Sequence, residues 1–410
     1  MIAEKLLQEA KKMQPSLIDI RRALHQHAEV GFELDHTLSF VKNKLLEIGV
    51  EPMDCGKSGI VVQLGGKKPG KVFLLRADMD ALVIKEEADV PFACDSGYMH
   101  ACGHDMHTTM LLGAVQLLKQ YEDEIEGTIK CMFQPAEEIF EGAHSMIQGG
   151  VLSNPKVDAA LMIHVMAGVP LPAGTLLVSD PGVSAPAADY FEIKVQGKGC
   201  HGAMPNTGVD PLVISAHIIL ALQNIAAREL ALNEQSVLTI GVVEAGAAAN
   251  AIPDTVSMRG SMRTFDEETR SFMKKRLVEI VEGTAKPFRG EAVVTFGSGC
   301  PTLINDEQLA ICTKKYVKEL LGETRAFSTS DLSKQGNGKE TSKATGSEDF
   351  AYVSQEVPSI MLALAAGTPQ EGHRYPQHHP MVTFDESVLS TGSAIHAFTA
   401  LRWLQEHAKD

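Results

Sequence analysis

The chain has 410 residues, enough for two or three domains at about 150 residues each. Hydrophobic residues make up 44% and charged residues 22%, which excludes a disordered chain and allows sizeable cores. The net charge of −15 excludes nucleic acid as an expected partner, since that binding needs a basic face.

Seven cysteines at scattered spacings argue against a disulfide framework and for a reducing compartment. The start, Met1 to Glu9, is an amphipathic charged helix rather than a signal peptide. No run of about 18 apolar residues stands out, so no membrane partner is expected and a cytoplasmic location is.

Residues 1 to 48 have helical spacing. Leu6, Leu7, Ala10 and Met13 share a face, Pro15 opens a second segment to about His25, and a third helix, Asp35 to Ile48, ends at Gly49. His25-Gln26-His27 is read as a surface helix end. Strands are expected at Gly59 to Leu64 and Lys71 to Ala77, the second ending in Asp78-Met79-Asp80. Open α/β sheets build sites at the C-terminal ends of their strands, which makes Asp78 a candidate.

His100-Ala101-Cys102-Gly103-His104-Asp105-Met106-His107 follows, just before a helix expected from about Thr108 to Tyr121. Thiolate and imidazole are the donors that zinc and its borderline neighbours prefer, and Cys-x-His lets one turn supply two of them. The next strand, Gly127 to Gln134, ends in Pro135-Ala136-Glu137-Glu138. Two adjacent carboxylates repel, and a cation gives them a reason to coexist. One could bind metal while its neighbour stays free as a general base; an acidic surface turn is the alternative. The apolar run Val157 to Ile163 is a buried strand ending at His164. Ligating residues thus recur at strand ends in a βαβ rhythm.

Leu171 to Ala188 is rich in Pro and Gly and is expected to be a hinge. Beyond it come a strand at 189–197, a helix at 210–228, strands at 236–243 and 255–262, a helix at 267–285 and a strand at 291–297. That β-α-β-β-α-β order is the ferredoxin-like, split βαβ pattern. From about Pro301 the texture of the first part returns: a helix at 306–321, a polar and mobile stretch from Ser328 to Lys343, a helix opened by Gly346 to Phe350, a strand at 360–364, His378-His379-Pro380 in a loop, and a last helix at 386–407. The expected fold is α/β: a catalytic domain, 1–182 and 301–410, with a mixed sheet flanked by helices, interrupted by an α+β lid domain at 183–300.

Seven motifs resemble those of the zinc-dependent aminoacylase and carboxypeptidase metallopeptidase family, in its amidohydrolase branch of hippurate, auxin-amino-acid and N-acetyl-amino-acid hydrolases. They are Arg76 to Leu82, His100 to His107, Gln134 to Glu138, Gly197 to Pro211, Asn250 to Asp254, Gly346 to Ala351 and His378 to Pro380. The resemblance implies two divalent metal ions per subunit, zinc or else manganese, cobalt or nickel, held by Cys102, His104, Glu138, His164 and His378. It makes Glu137 the general base and gives substrate contacts to His201, Asn250 and Arg263 in the lid, with His201 reaching across a homodimer. The implied reaction is hydrolysis of an N-acyl-L-amino acid; a dipeptidase or carboxypeptidase with the same metals is the alternative. Val83, Cys200, Ala247, Ala248 and Ala251 depart from the family pattern and bear on substrate shape.

Overall fold

A computed structural model describes residues 2–331 and 346–408. The chain divides into two compact units, one of Met1–Ser184, Ile304–Lys343 and Asp349–Asp410, the other of Ala185–Leu303 and Ala344–Glu348. Most of the polar stretch at 328–343 lies outside the described residues.

The elements of the first unit begin with α1 (Ile2–Gln26), α2 (Asp35–Ile48), β1 (Met53–Cys55), β2 (Gly59–Gly65), β3 (Val72–Asp78), α3 (His104–Gln120), β4 (Thr128–Gln134), α4 (Gly142–Gln148), β5 (Ala159–Met166) and β6 (Leu176–Val178). The second unit holds β7 (Ala187–Gln196), α5 (Pro211–Asn224), β8 (Ser236–Ala245), β9 (Thr255–Thr264), α6 (Glu267–Ala285) and β10 (Glu291–Cys300). The first unit resumes with α7 (Glu307–Leu321), β11 (Ala326–Ser328), α8 (Ala351–Glu356), β12 (Ser359–Ala365) and α9 (Leu389–Glu406).

Among the described residues, the first unit forms a mixed sheet in the order β1-β2-β4-β3-β5-β12-β6-β11. Its centre, β4-β3-β5-β12, is parallel, so these four strands end on one edge. Every residue of β3 is buried, as expected where helices cover both faces. Helices α1, α3 and α9 pack on one another, and α3 and α9 also meet β3. The mixed sheet flanked by helices is the architecture expected from the sequence.

Three expectations need correction. Pro15 does not divide α1. It sits on the exposed side of a continuous helix, whose Leu6, Ala10, Leu17 and Leu24 stripe is buried; that burial offsets the missing N–H. The helix α3 starts at His104, four residues earlier than the apolar pattern indicates, because Gly103 caps it in a left-handed conformation at φ 90°. The stretch 171–188 contains β6 and a further short strand, Gly182–Ala185, rather than hinge alone.

In the second unit an antiparallel sheet in the order β8-β9-β7-β10 carries α5 and α6. The strand β7 buries alternate residues, Phe191, Ile193 and Val195, with Ile214, Ile218 and Leu222 of α5 and Met273, Leu277 and Val281 of α6 in the same core. By length and composition Pro211–Glu229 could cross a membrane. The apolar-run count missed it because His217, Gln223, Asn224 and Arg228 interrupt it, and here its apolar stripe is spent on the unit's own core.

Candidate metal centre

The parallel strands of the first unit deliver their C-terminal residues to one edge. There β3 ends in Asp78 and leads to Asp80, β4 leads to Glu137 and Glu138, and β5 carries His164. The Cys102–His104 turn and the His378 loop meet this edge. His378 is tied in by its backbone N–H, which donates to Ala101 O at 2.9 Å.

Glycine is required inside the first turn. Gly103 has φ 90°, and a Cβ there would lie 2.5 Å from Val165 Cγ2. The Glu137 turn is similarly constrained. Ala136 and Phe140 adopt positive φ, 54° and 55°, where non-glycine residues are uncommon. Asp80 holds the turn by accepting the backbone N–H groups of Glu137 and Glu138 on its two oxygens, at 3.0 and 3.2 Å.

The side chains converge. Cys102 Sγ is 3.5 Å from His164 Nε2 and 3.4 Å from His378 Nε2. Glu138 Oε1 is 3.6 Å from His378 Nε2 and 3.8 Å from His104 Nε2, and Glu137 Oε2 is 3.9 Å from His104 Nε2. Cys102, His104 and His164 form one group able to hold a metal ion; Cys102, Glu138 and His378 form another, and His104, Glu137 and Glu138 a third. All five residues expected to bind metal therefore share one centre with Glu137. Distance alone does not separate Glu137 from Glu138.

The donors fit a cation. Both ring nitrogens of His104 and Oε1 of Glu138 are buried without a hydrogen-bond partner among the described residues. His104 Nδ1 faces Asp80 Oδ1 only at 3.4 Å. Buried polar atoms normally find partners, so a cluster of orphans on ligating residue types marks a place for an ion. Burial, with the Glu138 charge nearby, pushes the Cys102 thiol well up, and burial pushes Glu138 up to about 7. A cation would reverse both shifts.

Several neighbours of the centre have surroundings that the sequence reading did not give. Asp78 borders the centre: its Oδ2 lies 3.7 Å from His104 Nε2, and with His104 and His107 it forms a further group able to hold a metal ion. Its Oδ2 takes 2.6 Å from Arg76 Nη1 and its Oδ1 lies 2.6 Å from His107 Nδ1. Arg76 is itself buried and reaches Asp349 at 3.0 Å and Gln134 at 2.9 Å. His25 is not at the surface. It is buried, with Nδ1 2.8 Å from Asp105 and Nε2 3.0 Å from Glu86, while Arg21 Nε donates to Asp105 at 2.7 Å. Burial opposes charge on Asp105, but Arg21 and His25 overcome it and hold that carboxyl well below the usual range. His100 lies buried with no hydrogen-bond partner among the described residues, and burial pushes it down to about 3. A residue's partner 80 positions away leaves no trace in local spacing.

In the second unit His201 and Asn250 are neighbours: Ala251 pairs with His201, and Gly202 N–H donates to Asn250 O at 2.8 Å. Both residues are exposed. Arg263 is not with them. It sits near the far end of β9, where Nη1 donates to Ser347 Oγ at 2.6 Å. The eight steps of strand from Thr255 to Arg263 span about 26 Å.

Residues 74–402 match the profile of peptidase family M20/M25/M40. The chain is similar to an N-acetyl-L-cysteine deacetylase of Bacillus subtilis (strain 168), 34% identical over 96% of this chain and 90% of that protein. It is also similar to thermostable carboxypeptidase 2 of Saccharolobus solfataricus, 33% identical over 98% of this chain and 99% of the other. Among solved structures, the Bacillus subtilis YXEP protein, described as a dinuclear metal binding peptidase, superposes with a TM-score of 0.76 at 31% identity, covering 96% of this chain and 99% of its own.

Proposed function

The chain belongs to peptidase family M20/M25/M40 and is a hydrolase of amide bonds, and from that premise we propose that it cleaves N-acyl-L-amino acids to a carboxylic acid and a free amino acid. The observation that carries this reading is the convergence of Cys102, His104, Glu138, His164 and His378 beside a second carboxylate, Glu137. The similarity to an N-acetyl-L-cysteine deacetylase supports the substrate class.

In this reading those five residues hold two divalent ions, zinc first, with manganese, cobalt or nickel also suited to such donors. Bound there, the ions would lower the pKa of a water and polarise the amide carbonyl. Glu137 takes the water's proton and passes it to the leaving nitrogen. Asp80 fixes the turn that carries Glu137 and Glu138 by accepting the N–H of each. His201 donates to the oxyanion, and Asn250 and Arg263 contact substrate. The separation of His201 and Asn250 from Arg263 along β9 supports a homodimer through the second unit, a lid, in which His201 serves the partner's site. Seven cysteines at scattered spacings fit a reducing, cytoplasmic setting.

The carboxypeptidase relative supports a second reading, a dipeptidase or carboxypeptidase using the same centre. A panel of N-acetyl amino acids and unblocked dipeptides, assayed with metal-reconstituted protein, separates the two. Higher kcat/KM on the N-acyl compounds is expected. Turnover of dipeptides alone would replace the first reading with the second.

A further inference from the structure

His107 stands on α3 three residues after His104, is 1% exposed, and has no part in the proposed ligand set. Its two nitrogens are nonetheless both engaged. Nε2 accepts the Val165 backbone N–H at 2.8 Å, so the proton resides on Nδ1, which lies 2.6 Å from Asp78 Oδ1. Asp78 is fixed in turn: Arg76 Nη1 donates to its other carboxylate oxygen, and Thr108 Oγ1 donates to its backbone carbonyl at 2.7 Å.

Val165 is the hub of this arrangement. Its carbonyl oxygen accepts twice, from His164 Nδ1–H at 2.7 Å and from Gln377 Nε2–H at 2.8 Å. Two acceptances saturate a carbonyl. The first orients the His164 ring, leaving Nε2 to face Cys102 at 3.5 Å. The second anchors the residue before His378, whose Nε2 faces the same sulfur at 3.4 Å. One backbone position thus aligns two histidines from separate parts of the chain, and a third histidine holds that position in place.

We propose that His107 is a positioning residue: bridging Asp78 to the backbone of Val165, it sets the orientation in which His164 and His378 present Nε2 to Cys102, and so sets the metal affinity and coordination geometry of the centre. The inference rests on the reading of Cys102, His164 and His378 as metal ligands. Partners that orient ligating histidines typically contribute about 10–100-fold to metal affinity.

The test uses full-length protein stripped of metal and titrated with cobalt(II), whose visible spectrum reports ligand geometry and thiolate ligation. Affinity is measured by competition with a chromophoric chelator. The variant H107A should bind cobalt about 10–100-fold more weakly than wild type and with displaced absorption bands. H107Q should recover most of the affinity, because a glutamine amide can donate to Asp78 and accept from Val165 at once. Should H107A fail to fold, H107Q is compared with H107N, whose side chain is one methylene too short to span both partners; weaker binding by H107N is then expected. Wild-type affinity and spectrum in folded H107A would overturn the proposal, as would equal affinities for H107Q and H107N. A wild-type protein that binds no cobalt, or binds it without a thiolate-to-metal band, would instead overturn the metal reading beneath it.

Discussion

Cys102 is buried at 8% exposure, between two imidazoles, with a thiol pushed up by burial. A bound cation would convert it to a thiolate and occupy its lone pairs. Cys102 should therefore resist alkylation in metal-loaded protein and react in metal-stripped protein; peptide mapping after labelling in both states checks this, and equal labelling would remove Cys102 from the centre. Glu138 adds a pH dependence. With its carboxyl raised to about 7 in the metal-free protein, a metal must displace a proton from Glu138 below that pH and need not displace that one above it. Apparent metal affinity should rise as pH climbs through about 7, by up to tenfold per pH unit for each proton displaced, and a flat profile between pH 6 and 8 would contradict the assignment. The candidate residues were legible because they cluster: Cys102 with His104, Glu137 with Glu138. Asp80, His107 and Gln377 were not, because what they do depends on backbone groups of Glu137, Glu138 and Val165 that only the folded chain brings within reach.

At the scale of elements, the turn between β4 and α4 carries both catalytic candidates and depends on a glycine. A Cβ on Gly142 would lie 1.6 Å from Pro135 O, a backbone atom that cannot rotate away. Overpacking of this kind costs about 1–3 kcal/mol, and each kcal/mol lowers the Tm of a domain this size by about 2–4 °C. Gly142→Ala should melt roughly 2–12 °C lower, measured by calorimetry, and should lose activity in the remaining folded protein as Glu137 and Glu138 shift. An unchanged Tm would show that the turn relaxes freely. The longer elements were legible from periodicity: α2 and α6 span the residues their apolar spacing indicates. The start of α3 was hidden because His104, Asp105 and His107 are polar residues in a helix buried on nearly all sides, so no amphipathic stripe marks its first turn. The strand β6 has three residues, too few for alternation to register.

For the whole molecule, the order β-α-β-β-α-β and the return of the first texture after residue 301 indicated an insertion, and the structure divides the chain at Ser184 and Leu303. If ions bind the folded chain only, they stabilise it by RT ln(1 + [L]/Kd), about 4 kcal/mol at a thousandfold excess over Kd. Chelation should abolish hydrolysis and lower Tm together, and divalent metal should restore both. Full activity in protein verified to be free of metal would contradict the account.

The central claim is that Glu137 and Glu138, adjacent and almost equidistant from His104, do different work. Metal content and turnover of Glu137→Gln and Glu138→Gln test it most directly. Glu137→Gln should keep its metal while the rate falls by about 10²–10⁴, the usual worth of a positioned base. Glu138→Gln should bind metal weakly and regain part of its activity in excess metal, since affinity follows ligand charge and number. Loss of metal from Glu137→Gln with retention in Glu138→Gln would reverse the roles, and near-wild-type behaviour in both would place the chemistry elsewhere.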